Sequence, residues 1–350
     1  MATQHNSNPG VNLTPMMQQY MSIKSAHSEY LLFYRLGDFY ELFFEDAKIA
    51  SQILDIVLTK RGAQNGENTP MCGVPHHSAA HYINRLLKSG YSIAICEQLE
   101  SPEEAKKRGY KAVVIREVVQ IITPGTLMED NLLDPKSMNY LMAIAEHKGT
   151  YAVAWIELTT GEFFTSNCGE SSVINEISRL NPKEIIVSQK YMNANKFLNI
   201  QANFTPRSNN VFDYQSCYNK LKEYYKISSI EGLGEFNQVQ TIAAGALIEY
   251  VIHTQKNNLP KVKALKNVDK TLFMEIDAAT RKNLELETSI GENKKFTLLK
   301  TIDKTITSAG SRLLKTRLSS PLCNATAINK RLECVDFFGS VASVKIQCKK

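Results

Sequence analysis

Residues 31–47, LLFYRLGDFYELFFEDA, limit the fold more than any other stretch of this chain. LLFYRL and FYELFF are short, aromatic-rich apolar runs that read as extended, and EDAKIASQILDIVL after them has the spacing of an amphipathic helix. Strand side chains alternate, so an extended 39–41 puts Phe39 and Glu41 on one face and turns Tyr40 and Leu42 toward the core. A ring and a carboxylate then project side by side. The pattern alone allows two readings: Phe39 is core with Glu41 a solvated neighbour, or the pair does something other than packing.

The rest of the chain reads as α/β and multidomain. TPMMQQYMSIKSAHSEY has helical spacing, with Thr14 as cap, Pro15 in the first turn and Met17, Tyr20, Met21 and Ile23 as inner positions. RGAQNGENTPMCGVPHH is punctuated by Gly, Asn and Pro and reads as loop. SAAHYINRLLKSG is a helix closed by Gly90, and YSIAICEQL and AVVIREVVQIITPGT are strands, completing a mixed α/β domain over 14–127. LMEDNLLDPKS suggests a linker, placed at 128–137. NYLMAIAEHKG and YAVAWIELTTGEFFTSN are strands, the second broken into a hairpin by Thr159-Thr160-Gly161. The helix SSVINEISRL, the short parallel-type strand in NPKEIIVS and the helix VQTIAAGALIEYVIHTQ then give a second α/β domain over 138–268. From 269 to 350 the chain is mostly helical, through AATRKNLELETS and SAGSRLLKTRLSSPL, and resembles the beginning of an all-α domain.

At 350 residues two or three domains are expected. The net charge of +6 is uneven: 1–127 carry 12 basic and 12 acidic residues, 128–268 carry 14 and 14, and 269–350 carry 15 and 9. A basic excess suits nucleic acid, but any DNA contact in the first domain must come from local patches. The polar start, residues 1–13, lacks the pattern of a secretory signal and reads as a disordered tail. No apolar run approaches the roughly 18–20 residues of a membrane span. Seven scattered cysteines, an odd number with no CxxC pair, fit reduced thiols in the cytoplasm.

Most catalytic motifs fail on inspection. GSRLLKT (310–316) has Leu314 where a phosphate loop needs Gly before the Lys, and it reads as helix, so no nucleotide cradle is expected. His77 and His81 are four apart, but no third ligand or acidic partner stands near them, so no metal is expected. Cys96 in AICEQ reads as a small buried hydrophobe.

TPMMQQY, LLFYRLGDFYELFFEDA, LTKRG, PMCGVPHH, AICEQL and ITPGT together resemble, in order and spacing, the bacterial MutS family of DNA mismatch-repair proteins. LTTGEF, IDAATRKNLEL and SAGSRLLKTRLSSPL continue the likeness to about residue 338. The resemblance implies a mismatch-recognition domain, a ribonuclease-H-like connector and the start of a helical lever. It also implies a Phe-x-Glu element that reads mispaired or unpaired bases, matched here by Phe39-Tyr40-Glu41. Phe39 would wedge into the duplex and Glu41 would hydrogen-bond the displaced base. Lys60 and Arg61, taken as loop residues, are candidate phosphate contacts.

The connector fold raises a nuclease alternative, but Glu157 and Glu162 lack the further carboxylates a divalent metal site needs. Complete family members continue into clamp and ATPase domains that use ATP and Mg and form dimers. This sequence is expected to be an incomplete member, not itself an enzyme, with no cofactor of its own. GSVASVKIQCKK at the end looks less like the family than what precedes it. The partners implied are double-stranded DNA with mismatches or small unpaired loops and a MutL-like protein, with no membrane. The competing reading is a protein-interaction fragment that binds a repair partner without useful DNA affinity. The helical segment is expected to expose an apolar face and to favour association.

Overall fold

The computed structural model describes residues 14–64, 67–110, 112–129, 132–194, 202–256, 258–290 and 296–340. The expected disordered tail, residues 1–13, lies outside them, as does 341–350. Two compact units divide the chain, one of residues 1–127 and 251–259, the other of 128–250 and 260–350.

The first unit is built on a six-stranded mixed sheet. Its elements are α1 (Pro15–Ala26), β1 (Leu31–Leu36), β2 (Phe39–Phe43), α2 (Phe44–Leu54), β3 (Thr59–Gln64), β4 (Glu67–Pro75), α3 (Ala79–Lys88), β5 (Ile93–Gln98), α4 (Pro102–Arg108) and β6 (Arg116–Ile122). The strand order is β3-β4-β2-β1-β5-β6, with β1 and β5 parallel and the other pairs antiparallel.

Helix α1 begins as its sequence requires, with the Thr14 hydroxyl accepting from the Met17 amide at 3.3 Å and Pro15 in the first turn. It buries Met17 and Tyr20, but Met21, expected inside, is exposed. Tyr20 meets Tyr34 and Phe43 edge-on at 5.4 and 4.9 Å, contacts worth about 0.5–1.5 kcal/mol each beyond the area they bury. Helices α2 and α3 cover the other face of the sheet. Arg85 of α3 donates to the Ile53 and Leu54 carbonyls at 2.8 Å, satisfying the end of α2.

One expectation is overturned here. The segment read as loop, RGAQNGENTPMCGVPHH, is largely the β3–β4 hairpin, and Lys60 and Arg61 lie on edge strand β3. Pro70 is tolerated because the pairing of β4 with β2 starts only at Met71, so β4 has one neighbour at Pro70. Helix α4 escaped the sequence reading although Ser101 and Glu104 form a capping box, each side chain accepting from the other's amide.

The second unit opens with the meander β7 (Tyr140–His147), β8 (Thr150–Glu157) and β9 (Glu162–Cys168). It continues through α5 (Val173–Leu180), β10 (Glu184–Ser188), α6 (Gln189–Asn193), β11 (Phe204–Arg207), α7 (Tyr214–Tyr225), α8 (Gln238–Gln255, of which 251–255 belong to the first unit) and β12 (Lys266–Asn267). The order β11-β10-β7-β8-β9-β12, with β10 and β11 parallel to β7, is the arrangement a ribonuclease-H-like sheet requires. One core gathers Met142, Val153, Trp155, Ile177, Ile185 and Val187. Gly245 lets α8 approach α7, since a Cβ there would lie 2.4 Å from that of Cys217.

The remaining helices are α9 (Ala278–Asn283), α10 (Leu298–Ile302), α11 (Ser308–Ser319) and α12 (Ala325–Ser340). The helix expected over AATRKNLELETS stops at Asn283, and Glu285 takes a left-handed φ of 44°. GSRLLKT lies inside α11, as its periodicity predicts. Ile306 before α11 and Leu332, Val335, Phe337 and Phe338 on α12 are exposed, apolar surface of the kind the sequence suggests. No helix among the described residues is long and apolar enough to cross a membrane.

Candidate nucleic-acid interface

The site starts from a two-residue turn. Gly37, at φ +59°, and Asp38 connect β1 to β2, so Phe39 is the first residue of its strand. Three bonds fix this corner. The Gly37 amide donates to Gln98 at 2.9 Å, the His76 amide donates to the Asp38 carbonyl at 2.8 Å, and Arg35 donates to the Gly37 carbonyl.

Strand β2 then alternates as expected. Phe39 is 48% exposed, Tyr40 is 5% exposed, and Leu42 and Phe43 are fully buried. The reading of Phe39 as a core residue is therefore excluded. Phe39 and Glu41 share a face, and beside them on β4 the register places Pro75 and Gly73. Gly73 presents no side chain, so the ring and the carboxylate stand beside an open ledge.

Tyr40, pointing the other way, donates to Glu97 on β5, and the Arg35 guanidinium lies 5.5 Å from its ring centre. Burial, reinforced by the bond to Glu97, pushes the Tyr40 phenol above its ordinary range. An exposed ring is thus flanked by a buried and hydrogen-bonded one.

Glu41 is the most electrostatically loaded group here. Arg61 reaches across β4 from β3 to form an ion pair with it, its guanidinium 5.9 Å from the centre of the Phe43 ring. Burial raises the Glu41 carboxyl above the usual carboxylate range, while Arg61, and more distantly Arg116, pull it back down. The structure therefore brings Phe39, Glu41 and Arg61 together. Lys60, one residue from Arg61 on the same strand, is exposed and by alternation faces the other side of the sheet. The Arg61–Glu41 pair is what sequence reasoning missed: the two residues are 20 apart, and their meeting depends on a hairpin the sequence disguises.

Other candidate chemistry disperses. Glu157 and Glu162 are directly opposite in the β8–β9 register, but Glu157 accepts from Thr159 and Thr160, and Glu162 pairs with Lys263 and Lys266. Among the described residues no group of three or more His, Cys, Asp or Glu could hold a metal ion, His77 and His81 included. Cys96 is fully buried, and burial pushes its thiol up to about 12, as suits an inert core residue.

Comparison with known proteins follows the same division. Residues 14–131 match the family model described as MutS domain I, 139–263 match MutS domain II, and 279–348 match MutS domain III. The last match runs through the ending that looked unlike the family. The chain is similar to the DNA mismatch repair protein MutS of Ehrlichia chaffeensis, 50% identical over 330 residues that cover 93% of this chain and 40% of that protein. It is also similar to the proteins of the same name from Wolbachia pipientis wMel, at 46% over 330 residues, 93% and 39%, and Rickettsia canadensis, at 45% over 334 residues, 93% and 38%. The chain spans about 40% of the length of these relatives. It belongs to the MutS family and carries that family's domains I, II and III in order.

Proposed function

We propose that this chain binds duplex DNA at mispaired or unpaired bases and serves as the mismatch-reading and connecting part of DNA mismatch repair. The observation that carries the proposal is Phe39, a large ring half exposed at the start of a strand whose next residue is locked in the core. Such a ring can enter a base step from the minor groove and stack on the mispaired base. Wedging costs about a few kcal/mol of unstacking, and a mismatch has less pairing and stacking to lose. Selectivity then comes from deformability rather than from base-edge reading.

Glu41, on the same strand face as Phe39, would supply the hydrogen bond to the displaced base. On intact duplex an ionised carboxylate beside phosphates is repelled, which disfavours the wrong substrate. Arg61, on the Phe39 face, must give up Glu41 to take a phosphate, whereas Lys60, exposed on the same edge strand but turned to the opposite face, would take one only around the sheet edge. Residues 138–268 act as the connector and offer a surface to a MutL-like partner, and dimerisation belongs to the longer relatives. We assign this stretch no catalytic step, and ATP and Mg to the rest of a full-length member.

The competing reading, a protein-interaction piece without useful DNA affinity, is favoured only by the exposed apolar side chains of the last helices. Gel-shift competition between mismatched and matched duplex over a range of salt separates the two. The DNA-reading proposal expects mismatched duplex to compete better and binding to weaken with salt, with a slope set by the number of phosphates neutralised. Equal competition by both duplexes would remove it.

A further inference from the structure

We propose that Arg61 is a latch on Glu41: it holds the carboxylate in the free chain and releases it when a duplex phosphate draws the guanidinium away. Backbone contact and base contact would then be one coupled exchange of partners. This rests on the reading of the Phe39 face as the DNA interface and deepens it, since it makes Arg61 a positioning residue for Glu41 and not a phosphate contact alone.

The geometry favours a switch over a static pair. The Arg61 side chain is 43% exposed and that of Glu41 only 18%, so the cation can change partner while the carboxylate stays in place. The β4 residue directly beside Glu41 is Gly73, which puts no side chain against the carboxylate. Among the described residues the charged or titratable groups facing Glu41 are Arg61 from β3, Arg116 from β6 and Tyr34 from β1. Arg116 is already committed, donating to the Arg35 and Val114 carbonyls at 2.8 and 3.0 Å, and Tyr34 is bonded to Gln19. Arg61 is thus the group whose departure most changes the Glu41 environment.

The consequence for Glu41 is a proton. Its carboxyl is raised by burial even with Arg61 in contact, and Arg61 is the largest influence in the other direction. When the guanidinium leaves and a displaced base presents an acceptor, the charged form has lost that support, the neutral form gains a hydrogen bond, and the carboxylate takes one proton from solvent. The neutral carboxyl then donates its O–H to an acceptor on the displaced base. On matched duplex no displaced base is offered, and an unlatched, ionised Glu41 faces phosphates alone.

The test begins in the DNA-free full chain. The ¹³Cδ signal of Glu41 is titrated by NMR in wild type, Arg61→Gln and Arg61→Lys. The latch expects the midpoint to move up in Arg61→Gln and to return toward wild type in Arg61→Lys, which keeps the charge. A midpoint unchanged in Arg61→Gln overturns it. The ratio of mismatched to matched affinity is then measured against pH. In wild type the ratio should fall as pH rises, because binding takes up a proton, and the dependence should flatten in Arg61→Gln, whose carboxyl is already easier to protonate. Equal slopes in the two proteins overturn the coupling. The free-chain titration needs no DNA, so it can fail while the mismatch reading stands, and a chain without mismatch preference would sink that reading while the titration still reports on the pair.

Discussion

Tyr40 donates its phenolic proton to Glu97 from the position next to Phe39, so the exposed ring is carried by a strand whose adjacent residue is tied across β1 to β5. Precision at Phe39 is therefore inherited from the core. Tyr40→Phe keeps the packing and removes the bond, leaving Glu97 with Arg35 at 3.9 Å. A hydrogen bond to a charged group contributes about 1.5–3 kcal/mol. The variant should lose stability of that order in urea denaturation and keep its mismatch preference in weakened form.

Asp46 joins three elements. It accepts from the Leu32 amide at 3.0 Å and pairs with Lys24 at 2.8 Å, tying α2 to β1 and α1. Asp46→Ala leaves the Leu32 amide without its carboxylate and removes the charge partner of Lys24, whose ammonium keeps the Tyr30 carbonyl at 2.7 Å. The loss should be about 3 kcal/mol, at the lower end of what breaking a buried pair costs because Lys24 keeps some solvent. Asp46→Asn, which still offers an acceptor to Leu32, should lose less. Urea midpoints of the two variants check the order.

Glu41 should carry a stability cost that function requires. Its folded-state carboxyl is raised by burial, so ionisation opposes folding above that raised value and ceases to matter below the ordinary carboxylate range. Glu41→Gln is therefore expected to melt at higher temperature than wild type near about pH 7, with the gain disappearing toward about pH 4. Glutamine can donate without ionising, so Glu41→Gln should retain more mismatch affinity than Glu41→Ala. Thermal scans across pH and binding titrations of the two variants check both statements.

Gly73 should accept a methyl group without loss, and a larger side chain only with loss of binding. A Cβ there would lie 3.8 Å from Glu41 and 3.9 Å from Phe39, ordinary contact distances. Gly73→Ala is expected to fold and bind nearly as wild type. Gly73→Val should fold as well, since valine suits a strand, but should fill the ledge beside Phe39 and lower mismatch affinity several-fold or more. Circular dichroism and binding to one mismatched duplex separate folding from access.

Where local pattern decides structure, the sequence was readable. Alternation along 39–43 placed Phe39 and Glu41 on one face and Tyr40 in the core, and Thr14-Pro15 marked the start of α1. Where tertiary pairing decides, it was not. Gly62, Gly66, Pro70 and Gly73 gave 61–77 the look of a loop, yet a bulge after Arg61 and the single neighbour at Pro70 let it pair as a hairpin. That hairpin carries Arg61 to Glu41, so the electrostatics of the site depended on the one segment whose composition misleads. Glu285 ended α9 early for a similar reason, taking a left-handed φ that helix propensity does not foresee.

The most direct test of the account is binding of wild type and Phe39→Ala to a duplex with one G·T mismatch or unpaired T and to its matched twin. Phe39 is exposed, so its loss should leave the fold intact. The account predicts that wild type prefers the mismatched duplex and that Phe39→Ala binds both equally. A preference that survives the substitution unchanged, or no preference in wild type, would contradict it.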